Sequence, residues 1–517
     1  MSTAPIQAAH SPCGAIRCAG PTLARWLALA MLAGAPLWAS AAEPISLFPG
    51  AAQQSELDSL RESMANGPTA EQVSAKLPSA RGKTSLRTMF SAQVGSWPFE
   101  PFVHNGLFKV IAGYQAAHPQ TLRISGGRID LEQLFRAVDN PQILRRHKDG
   151  YLLSYPLLID ADAALVVDNV SLYLNANSGS ALINQGQLIL SHALVQGWSG
   201  AHTETAQAGF RPFIMSWAGS VTLVEHSTLS RLGYNAHLAR GLGAARSIEQ
   251  GRHIAPARLW IHDSLFDELS TALDASDATL RVDNNRFERL QQYALDISDS
   301  QLQVQGNRID QVRNNSGMRI RGRSSGRVQD NVISATGKAG IEVVEQRGDL
   351  LIDGNLLGTS AGNAIQLRDS VGEGNLLLLR NHIFNSGYSG IDALNVKRAY
   401  VAENHISGTP EYAISFRHPA AGGDRLVLIG NSLSQTGKAL IRVEGQDSLI
   451  LGDNHFHLTP PHQEILAGDL LALQSLLLDA LRVPGCFIEV HPALTAKNPP
   501  TPLLPAGSGA NGCDDSS

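Results

Sequence analysis

The sequence predicts an all-β protein folded as a right-handed parallel β-helix, in which each coil of the chain stacks on the previous one. The first supporting observation is internal repetition, since segment 272–285 is followed by a close copy at 294–307. The second is an asparagine that ends each repeat and recurs at intervals of 22 to 27 residues. The third is that each repeat holds two short runs of alternating apolar residues and lacks room for an amphipathic helix of about ten residues, which favours strands over a leucine-rich repeat.

The recurring asparagines have a predicted structural role. They are Asn285, Asn307, Asn331, Asn355, Asn381, Asn404, Asn431 and Asn454. We expect each to lie in a turn in the left-handed conformation, which asparagine tolerates, with its side-chain amide bonded to the asparagines of adjacent coils. The alternative is that they only mark exposed turns.

Both ends of a solenoid expose strand edges that need covering. A short helical pattern from Ile129 to Phe135 is predicted to cap the first coil. Leucines at helical spacing within 461–481 predict a capping helix after the last one.

The start of the chain has the pattern of a secretory signal peptide. Arg17 and Arg25 precede an apolar run from Trp26 to Trp38, which is followed by the small residues 39–41 and is too short to span a bilayer comfortably. We therefore expect an exported protein without a membrane span after cleavage. The predicted segments are a signal peptide (1–41), an N-terminal leader and cap region (42–121), the β-helix (122–457), a C-terminal helical cap (458–495) and a disordered tail (496–517).

Charge and cysteine content narrow the range of functions. Lys and Arg number 41 against 46 Asp and Glu, a net charge of −5, so nothing indicates a nucleic-acid partner. Cys13 and Cys18 would leave with the signal peptide, whereas Cys486 and Cys513 remain. In an oxidising compartment this second pair either forms a disulfide or stays as two free thiols.

Strand parity turns the repeat into a map of the surface. In each repeat the residue after a small opening residue, such as Leu295, points inward, so the residues two and four positions after the small residue point outward. The first outward column is Asp274, Asp296, Arg319, Glu342, Gln366, Asp392 and Ser415. The second is Ser276, Ser298, Arg321, Val344, Arg368, Leu394 and Arg417. These columns predict a long shallow groove of the shape that a linear polymer needs.

The middle of this surface is rich in arginine although the chain is acidic overall. Six arginines lie within twenty residues with only Asp310 to offset them: Arg308, Arg313, Arg319, Arg321, Arg323 and Arg327. Arg319, Arg321 and Arg323 share one parity, so we expect them on one face, with Asp296 placed to neutralise Arg319 alone. Planar guanidinium groups suit carboxylates, which predicts a site for a polyanion such as a polyuronate. The alternative is a network of ion pairs between coils.

Several segments together carry a resemblance to a known family. They are 69–76 (Thr-Ala-Glu-Gln-Val-Ser-Ala-Lys), 82–87, 139–144, 210–220 (Phe-Arg-Pro-Phe-Ile-Met-Ser-Trp-Ala-Gly-Ser), 232–234, the repeats, and the helical tail from Gln463. Through them the chain resembles the periplasmic mannuronan C5-epimerase family of alginate-producing bacteria. The resemblance implies a right-handed β-helix in the periplasm that converts β-D-mannuronate to α-L-guluronate within the polymer. It also implies a partner in the envelope-spanning secretion machinery.

The catalytic motif of that family is altered here. The family takes the C5 proton with the His of an Asp-Pro-His-Asp motif, and the matching positions read Asp296-Ile297-Ser298-Asp299. Both carboxylates remain, but Ser298 replaces the base. The family's arginine, which neutralises the substrate carboxylate, falls near Gly322, beside Arg321 and Arg323.

These observations define the expected site. We expect Asp296, Asp299 and Arg321 to be catalytic, with Tyr293 as another candidate base. The expected substrate-binding residues are Tyr293, Ser298, Arg319, Arg323, Arg368 and Arg417. His226, His237 and His262 lie on loops that can reach the groove. No acidic cluster has the spacing of a calcium loop, so we expect no metal or other cofactor.

Three functions remain compatible with the sequence. The leading one is an alginate-directed epimerase, and the second is a non-catalytic polysaccharide-binding or export-scaffold protein that has lost its base. The third is a polyuronate lyase, since β-elimination begins with the same proton abstraction. The sequence leaves open the polymer's identity and the residue that would replace the missing histidine.

Overall fold

The computed structural model describes residues 45–90, 95–116, 118–200, 209–370, 374–419, 423–457, 464–481 and 485–491. Within these ranges the chain forms the predicted parallel β-helix, since the strands of successive coils pair in parallel, with antiparallel pairs at the two ends. The predicted signal peptide, the predicted tail and Cys13, Cys18 and Cys513 lie outside the described residues. Among the described residues, no helix has the length and apolar character needed to cross a membrane.

Three sheets form the wall of the solenoid, and each full coil adds one strand to sheet 1, then to sheet 2, then to sheet 3. Sheet 1 contains Lys83–Thr88, Gln120–Ser125, Leu157–Ile159, Leu182–Asn184, Ile214–Trp217, Leu242–Ala245, Thr271–Ser276, Tyr293–Ser298, Met318–Arg321, Ile341–Val344, Ile365–Ser370, Ile391–Val396, Ile414–Arg417, Ile441–Glu444 and Leu466–Gly468. Sheet 2 contains Ile45–Pro49, Arg128–Asp130, Ala164–Asp168, Gln187–Ser191, Val221–Glu225, Ala257–His262, Ala278–Asp283, Gln301–Gln305, Ser325–Gln329, Leu350–Asp353, Leu376–Leu379, Arg398–Ala402, Gly423–Ile429, Gln446–Gly452 and Cys486–Val490. Sheet 3 contains Leu144–His147, Gly150–Leu153, Ser171–Asn175, Leu194–Trp198, Thr228–Ser230, Leu265–Asp267, Arg286–Leu290, Arg308–Val312, Val332–Thr336, Leu356–Gly358, His382–Phe384, His405–Ser407, Ser432–Ser434 and His455–His457.

Few helices accompany these strands. The α-helices are α1 (Ala51–Ser63), α2 (Ala70–Val73), α3 (Leu107–Gln115), α4 (Leu131–Val138) and α5 (Gln474–Ala480). Short 3-10 helices occupy Glu100–Asn105, Ala176–Ser178 and Leu471–Leu473.

The interior is filled by apolar side chains from all three sheets. In one coil these are Leu295 from sheet 1, Leu302 from sheet 2 and Ile309 from sheet 3, all fully buried. Burying one such side chain contributes about 1.5–3 kcal/mol. The repeat of this pattern from coil to coil produces one continuous core along the axis.

The asparagine ladder is confirmed, with one correction. The Asn355 side-chain amide, for example, donates to Oδ1 of Asn381 at 3.0 Å and accepts from the amide of Asn331 at 2.9 Å. The left-handed residue is the one before the asparagine, such as Gly354 or Asp330, and not the asparagine itself. The preceding residue turns the chain, which sends the asparagine side chain inward, where it is fully buried.

The N-terminal leader covers the outside of sheet 2 along its length. Its first strand, Ile45–Pro49, pairs antiparallel with Cys486–Val490 at the C-terminal end of the sheet. Helix α1 then packs Leu57 in a cluster with outward apolar residues of sheet 2, such as Val427. The leader ends at the opposite end of the solenoid, where Lys83–Thr88 pairs antiparallel with Gln120–Ser125.

The two predicted end helices are present but differ in extent. Helix α4 begins after Asp130, whose side chain accepts a hydrogen bond from the Gln133 backbone N–H at 2.7 Å, so Ile129 belongs to a strand instead. The C-terminal helix is only α5, because Leu466–Gly468 adds a last strand to sheet 1. Cys486 is disulfide-bonded, and its partner lies outside the described residues.

Candidate functional site

The outward face of sheet 1 changes from apolar to polar along the solenoid. Its first three coils present Leu158, Ile183 and Met215, which are covered by an aromatic cluster from the segment before the β-helix and from a loop within it. This cluster includes Phe102 and the Phe210 to Phe213 motif. The next coils carry a polar column, and the register of the strands confirms the predicted alignment of its members: Asp274, Asp296, Arg319, Glu342, Gln366, Asp392 and Ser415.

Asp296 is the anchor of the first charged group on this face. Arg319 donates to both of its oxygens, with Nε at 3.0 Å from Oδ1 and Nη2 at 2.6 Å from Oδ2. Arg321 Nη2 lies 3.3 Å from Oδ1, and Arg240 Nη1 lies 3.4 Å from Oδ2. Asp296 therefore holds three guanidinium groups, not Arg319 alone as the sequence suggested.

This position corrects the expected role of Asp296. Its side chain is on the outward side of the strand, as predicted, but the surrounding arginines leave it with 0% exposure. A base must touch the substrate at C5, and a carboxylate covered in this way does not reach it. Asp296 is therefore better described as the group that positions the arginines.

The three arginines differ in how many contacts they make with the protein and in how exposed their side chains are. Arg319 makes two bonds to Asp296 and stacks on the ring of Tyr293, with 4.3 Å between Cζ and the ring centroid. Burial raises the pKa of Tyr293 and keeps its hydroxyl protonated. Arg321 keeps 40% of its side chain exposed, against 29% for Arg240 and 22% for Arg319. Arg321 is therefore the most exposed of the three guanidinium groups.

The remaining residues of the altered motif lie at the end of the same strand. Ser298 is half-buried and stands directly beside Arg321 in the register of sheet 1. Asp299 is 44% exposed and accepts the backbone N–H of Arg323 at 3.0 Å. Parity predicted that Arg323 shares a face with Arg319 and Arg321, and this prediction is wrong. Arg323 follows a left-handed turn at Gly322 and pairs with Asp299 instead. Parity fails there because the strand ends at Arg321.

One basic side chain, Arg240, and one acidic side chain, Asp274, complete this group. The sequence analysis did not identify them as a pair. Arg240, on the loop before Leu242–Ala245, lies 3.5 Å from Asp274 and also reaches Asp296. Burial, then the negative charge of Asp296, raises the pKa of Asp274, while Arg240 and, to a smaller extent, His237 oppose this shift. The signal for Asp274 was present in the outward column, but Arg240 and His237 come from an irregular loop.

A second charged group lies further along the same face. Asp392, which is 7% exposed, receives Arg368 Nη2 at 2.7 Å and Arg417 Nη2 at 3.1 Å. The two arginines come from the coils on either side of Asp392. The two predicted substrate-binding residues are thus brought together by one carboxylate.

The other arginines of the dense segment point elsewhere. Arg308 belongs to sheet 3 and Arg313 follows the same strand, whereas Arg327 lies on sheet 2 beside Gly67 of the leader. A cleft of about 700 Å³ lies at another corner of the solenoid and is lined by Arg211, Arg289 and Arg313 among others. None of the residues of the Asp296 group lines it.

The fold and this face define the class of the molecule: a parallel β-helix whose exposed sheet carries arginines held by buried aspartates. Comparison with family models matches residues 275–458, the regular coils, to the family described as periplasmic copper-binding protein (NosD). That match covers less than half of the chain.

The related proteins are named mannuronan C5-epimerase. The one from Pseudomonas putida is 29% identical over 189 residues, which are 35% of this chain and 36% of the relative. The one from Pseudomonas fluorescens is 25% identical over 268 residues, 46% of this chain and 51% of the relative. The alignments thus span about a third to a half of the relatives they match, and the resemblance to this family is confirmed as homology.

Solved structures confirm the fold over a longer stretch. The crystal structure of the periplasmic alginate epimerase AlgG superposes with a TM-score of 0.66 at 19% identity, over 75% of this chain and 97% of that one. A mutant of the same epimerase with one residue changed gives a TM-score of 0.68 at 20% identity, over 76% of this chain and 98% of that one.

Proposed function

We propose that this protein is a periplasmic, alginate-directed epimerase that inverts C5 of mannuronate residues in the polymer. The observation that carries the proposal is the state of Arg321. Its Nη2 lies 3.3 Å from Oδ1 of Asp296, yet 40% of its side chain is exposed. A fixed, accessible guanidinium is the group that a uronate carboxylate needs. The homology to mannuronan C5-epimerases supports the same substrate class.

The spacing of the arginines supports a linear polyuronate. In the column that contains Arg321, arginine returns at every second coil, as Arg368 and Arg417, with Val344 and Leu394 between them. Neighbouring strands are about 4.8 Å apart, so these arginines are spaced by about 9.5 Å. An extended (1→4)-linked uronate chain whose residues alternate in direction presents a carboxylate to one side at every second residue. The column therefore matches one side of such a chain.

Each step of the reaction has a candidate residue. Removing the C5 proton spreads negative charge into the adjacent carboxylate, and Arg321 would stabilise that charge. Asp299 has an exposed carboxyl group at the end of the same strand, and it remains the candidate base from the altered motif. Asp274 is a second candidate for proton transfer, because burial raises the pKa of its carboxyl group and so favours the protonated form.

The absence of a histidine at Ser298 favours one other function. A protein that lost its base would still bind the polymer through Arg321, Arg368 and Arg417 and guide it outward. Such a scaffold would work beside an envelope secretion complex. A lyase is the third candidate, since elimination begins with the same loss of the C5 proton.

One experiment separates the three functions. The mature protein is incubated with polymannuronate in deuterated water and the polymer is analysed by NMR. Deuterium at C5 together with inverted residues identifies an epimerase, and unsaturated chain ends identify a lyase. Retention of the polymer without either change identifies a binding protein.

The role of Arg321 is tested with a matched arginine on another sheet. Arg321→Ala should weaken retention on immobilised alginate at least about tenfold, because a charge-assisted hydrogen bond contributes about 1.5–3 kcal/mol. Arg286→Ala is the control, since Arg286 is exposed and paired with Glu288 on sheet 3. Equal retention of the two variants would contradict the proposal that the groove on sheet 1 binds the polymer. Ser298→His should raise the epimerisation rate if the serine marks a lost base.

A further inference from the structure

A group of histidines and carboxylates lies at the corner between sheets 2 and 3, away from the charged face of sheet 1. His192, His226 and Asp263 each follow a strand of sheet 2 and each has a positive φ, from 47° to 49°. Histidine and aspartate tolerate this conformation better than most residues. Turn geometry therefore explains single residues of these types, but it does not explain why their functional atoms converge.

The rings and carboxylates of this corner are close together. His226 stacks on His192 with 4.9 Å between ring centroids, and its ring lies 5.6 Å from that of His262. One ligand atom each from His226, His262 and Asp263 lie within 4.8 Å of one another. His262 is the most enclosed of the three, with 16% of its side chain exposed.

His262 is held between two carboxylates. Its Nδ1 lies 3.0 Å from Oδ2 of Asp263, and its Nε2 lies 3.4 Å from Oε2 of Glu225. The Nε2 atom is buried and forms no hydrogen bond of good geometry with any described residue. A neutral imidazole carries one proton, so one of its nitrogens presents a lone pair to a carboxylate. The nitrogen lone pair and the carboxylate repel each other, and a cation bound between them removes this repulsion.

We propose that His226, His262 and Asp263 bind a divalent transition-metal ion of the Zn²⁺ type. Two imidazoles and one carboxylate are a typical ligand set for such an ion, with metal–ligand distances of about 2.0–2.2 Å. Two adjacent ligands at these distances lie about 3 Å apart, which matches the separation of His262 Nδ1 and Asp263 Oδ2. Glu225 then accepts from Nε2–H and orients the ring, as carboxylates behind metal-bound histidines commonly do.

This site is independent of the proposed epimerase chemistry. Its ligands are on the turns after Val221–Glu225 and at the end of Ala257–His262, so it joins two successive coils of sheet 2 to each other. The chain between these two strands includes Thr228–Ser230, Leu242–Ala245 and the loop that carries His237 and Arg240 of the candidate site. Metal binding is therefore expected to stabilise the coils that carry this loop.

The test uses the untagged mature protein, stripped with a chelator and titrated with Zn²⁺ by calorimetry. One ion should bind per chain, and His226→Ala and Asp263→Ala should each weaken binding at least tenfold. His382→Ala is the matched control, because His382 and His405 form a similar exposed pair with centroids 5.8 Å apart, outside the metal-ligand group found among the described residues. The control should bind Zn²⁺ as the unsubstituted protein does.

A second measurement, the Tm, distinguishes loss of metal binding from loss of folding. Zn²⁺ should raise the Tm of the stripped protein and of His382→Ala, and it should leave the Tm of His226→Ala unchanged. Ca²⁺ should shift none of them, since imidazole ligands do not suit it. The proposal is overturned if Zn²⁺ does not bind, or if it binds His226→Ala as tightly as the control. In either case the corner holds only His262 in contact with Asp263 and Glu225.

Discussion

Asp296→Asn should destabilise the protein by about 3 kcal/mol, the low end of the about 3–5 kcal/mol expected when one partner is removed from a buried ion pair. The carboxylate is fully buried, and three arginines contact it between 2.6 and 3.4 Å. An asparagine has the same shape, but its amide nitrogen would face guanidinium donors without accepting from them. The estimate is at the low end because Arg321 and Arg240 reach solvent, with side-chain exposures of 40% and 29%.

The assay is urea unfolding at neutral pH, followed by circular dichroism. Asp299→Asn is the control, because Asp299 is 44% exposed and its pairing with Arg323 should be worth less than about 1 kcal/mol. Asp296→Asn should also weaken binding to alginate, since Arg321 loses the contact that fixes it. If the two variants lose the same stability, the arginines do not depend on Asp296, and the argument for a positioned Arg321 fails.

Two further predictions concern single residues. Burial raises the pKa of Asp274 in the folded state above its unfolded value of about 3.9. Between these two pKa values the native state binds more protons than the unfolded state, so the free energy of unfolding falls as pH rises. Asp274→Asn should remove this fall, so urea midpoints of variant and unsubstituted protein should diverge with rising pH; parallel curves would contradict it. Asn355→Ala should cost about 3 kcal/mol in the free energy of unfolding, because it removes the acceptor of the Asn331 backbone N–H and of one Asn331 side-chain N–H, and the donor to the Val328 carbonyl. Asn454→Ala, at the half-buried end of the ladder, should cost clearly less.

The sequence predicted the regular part of the molecule well for a physical reason. In strands that stack in register, equivalent positions of successive coils have the same surroundings. Each coil therefore gives another independent indication of which positions face inward. Leu295 and Met318 could be placed in the core, and Arg319 and Arg321 on the outer face, from parity alone. The same rule misplaced Arg323, because the chain leaves the strand at Gly322 and alternation no longer applies.

Contacts between distant segments were harder to predict because they have no periodic signal. The pairing of Ile45–Pro49 with Cys486–Val490 joins the two ends of the described chain. One signal was available, since Leu376–Leu379 is four successive leucines, and a strand that is apolar on both faces must be covered on both. Helix α1 supplies that cover. Arg240 likewise comes from an irregular loop, so its approach to Asp296 was visible only in the structure.

The two charged groups on sheet 1 follow one design. In each, a buried aspartate holds arginines from different coils, and the later arginine remains partly exposed, with 40% of the Arg321 side chain and 30% of the Arg417 side chain accessible. These two arginines are four coils apart, which is about 19 Å. A monomeric uronate would gain from only one of them, whereas a polymer reaches both and gains the second contact at high effective concentration. Short oligouronates should therefore bind much more weakly than chains long enough to span both groups, and binding that is independent of chain length would argue against a groove that follows the solenoid axis.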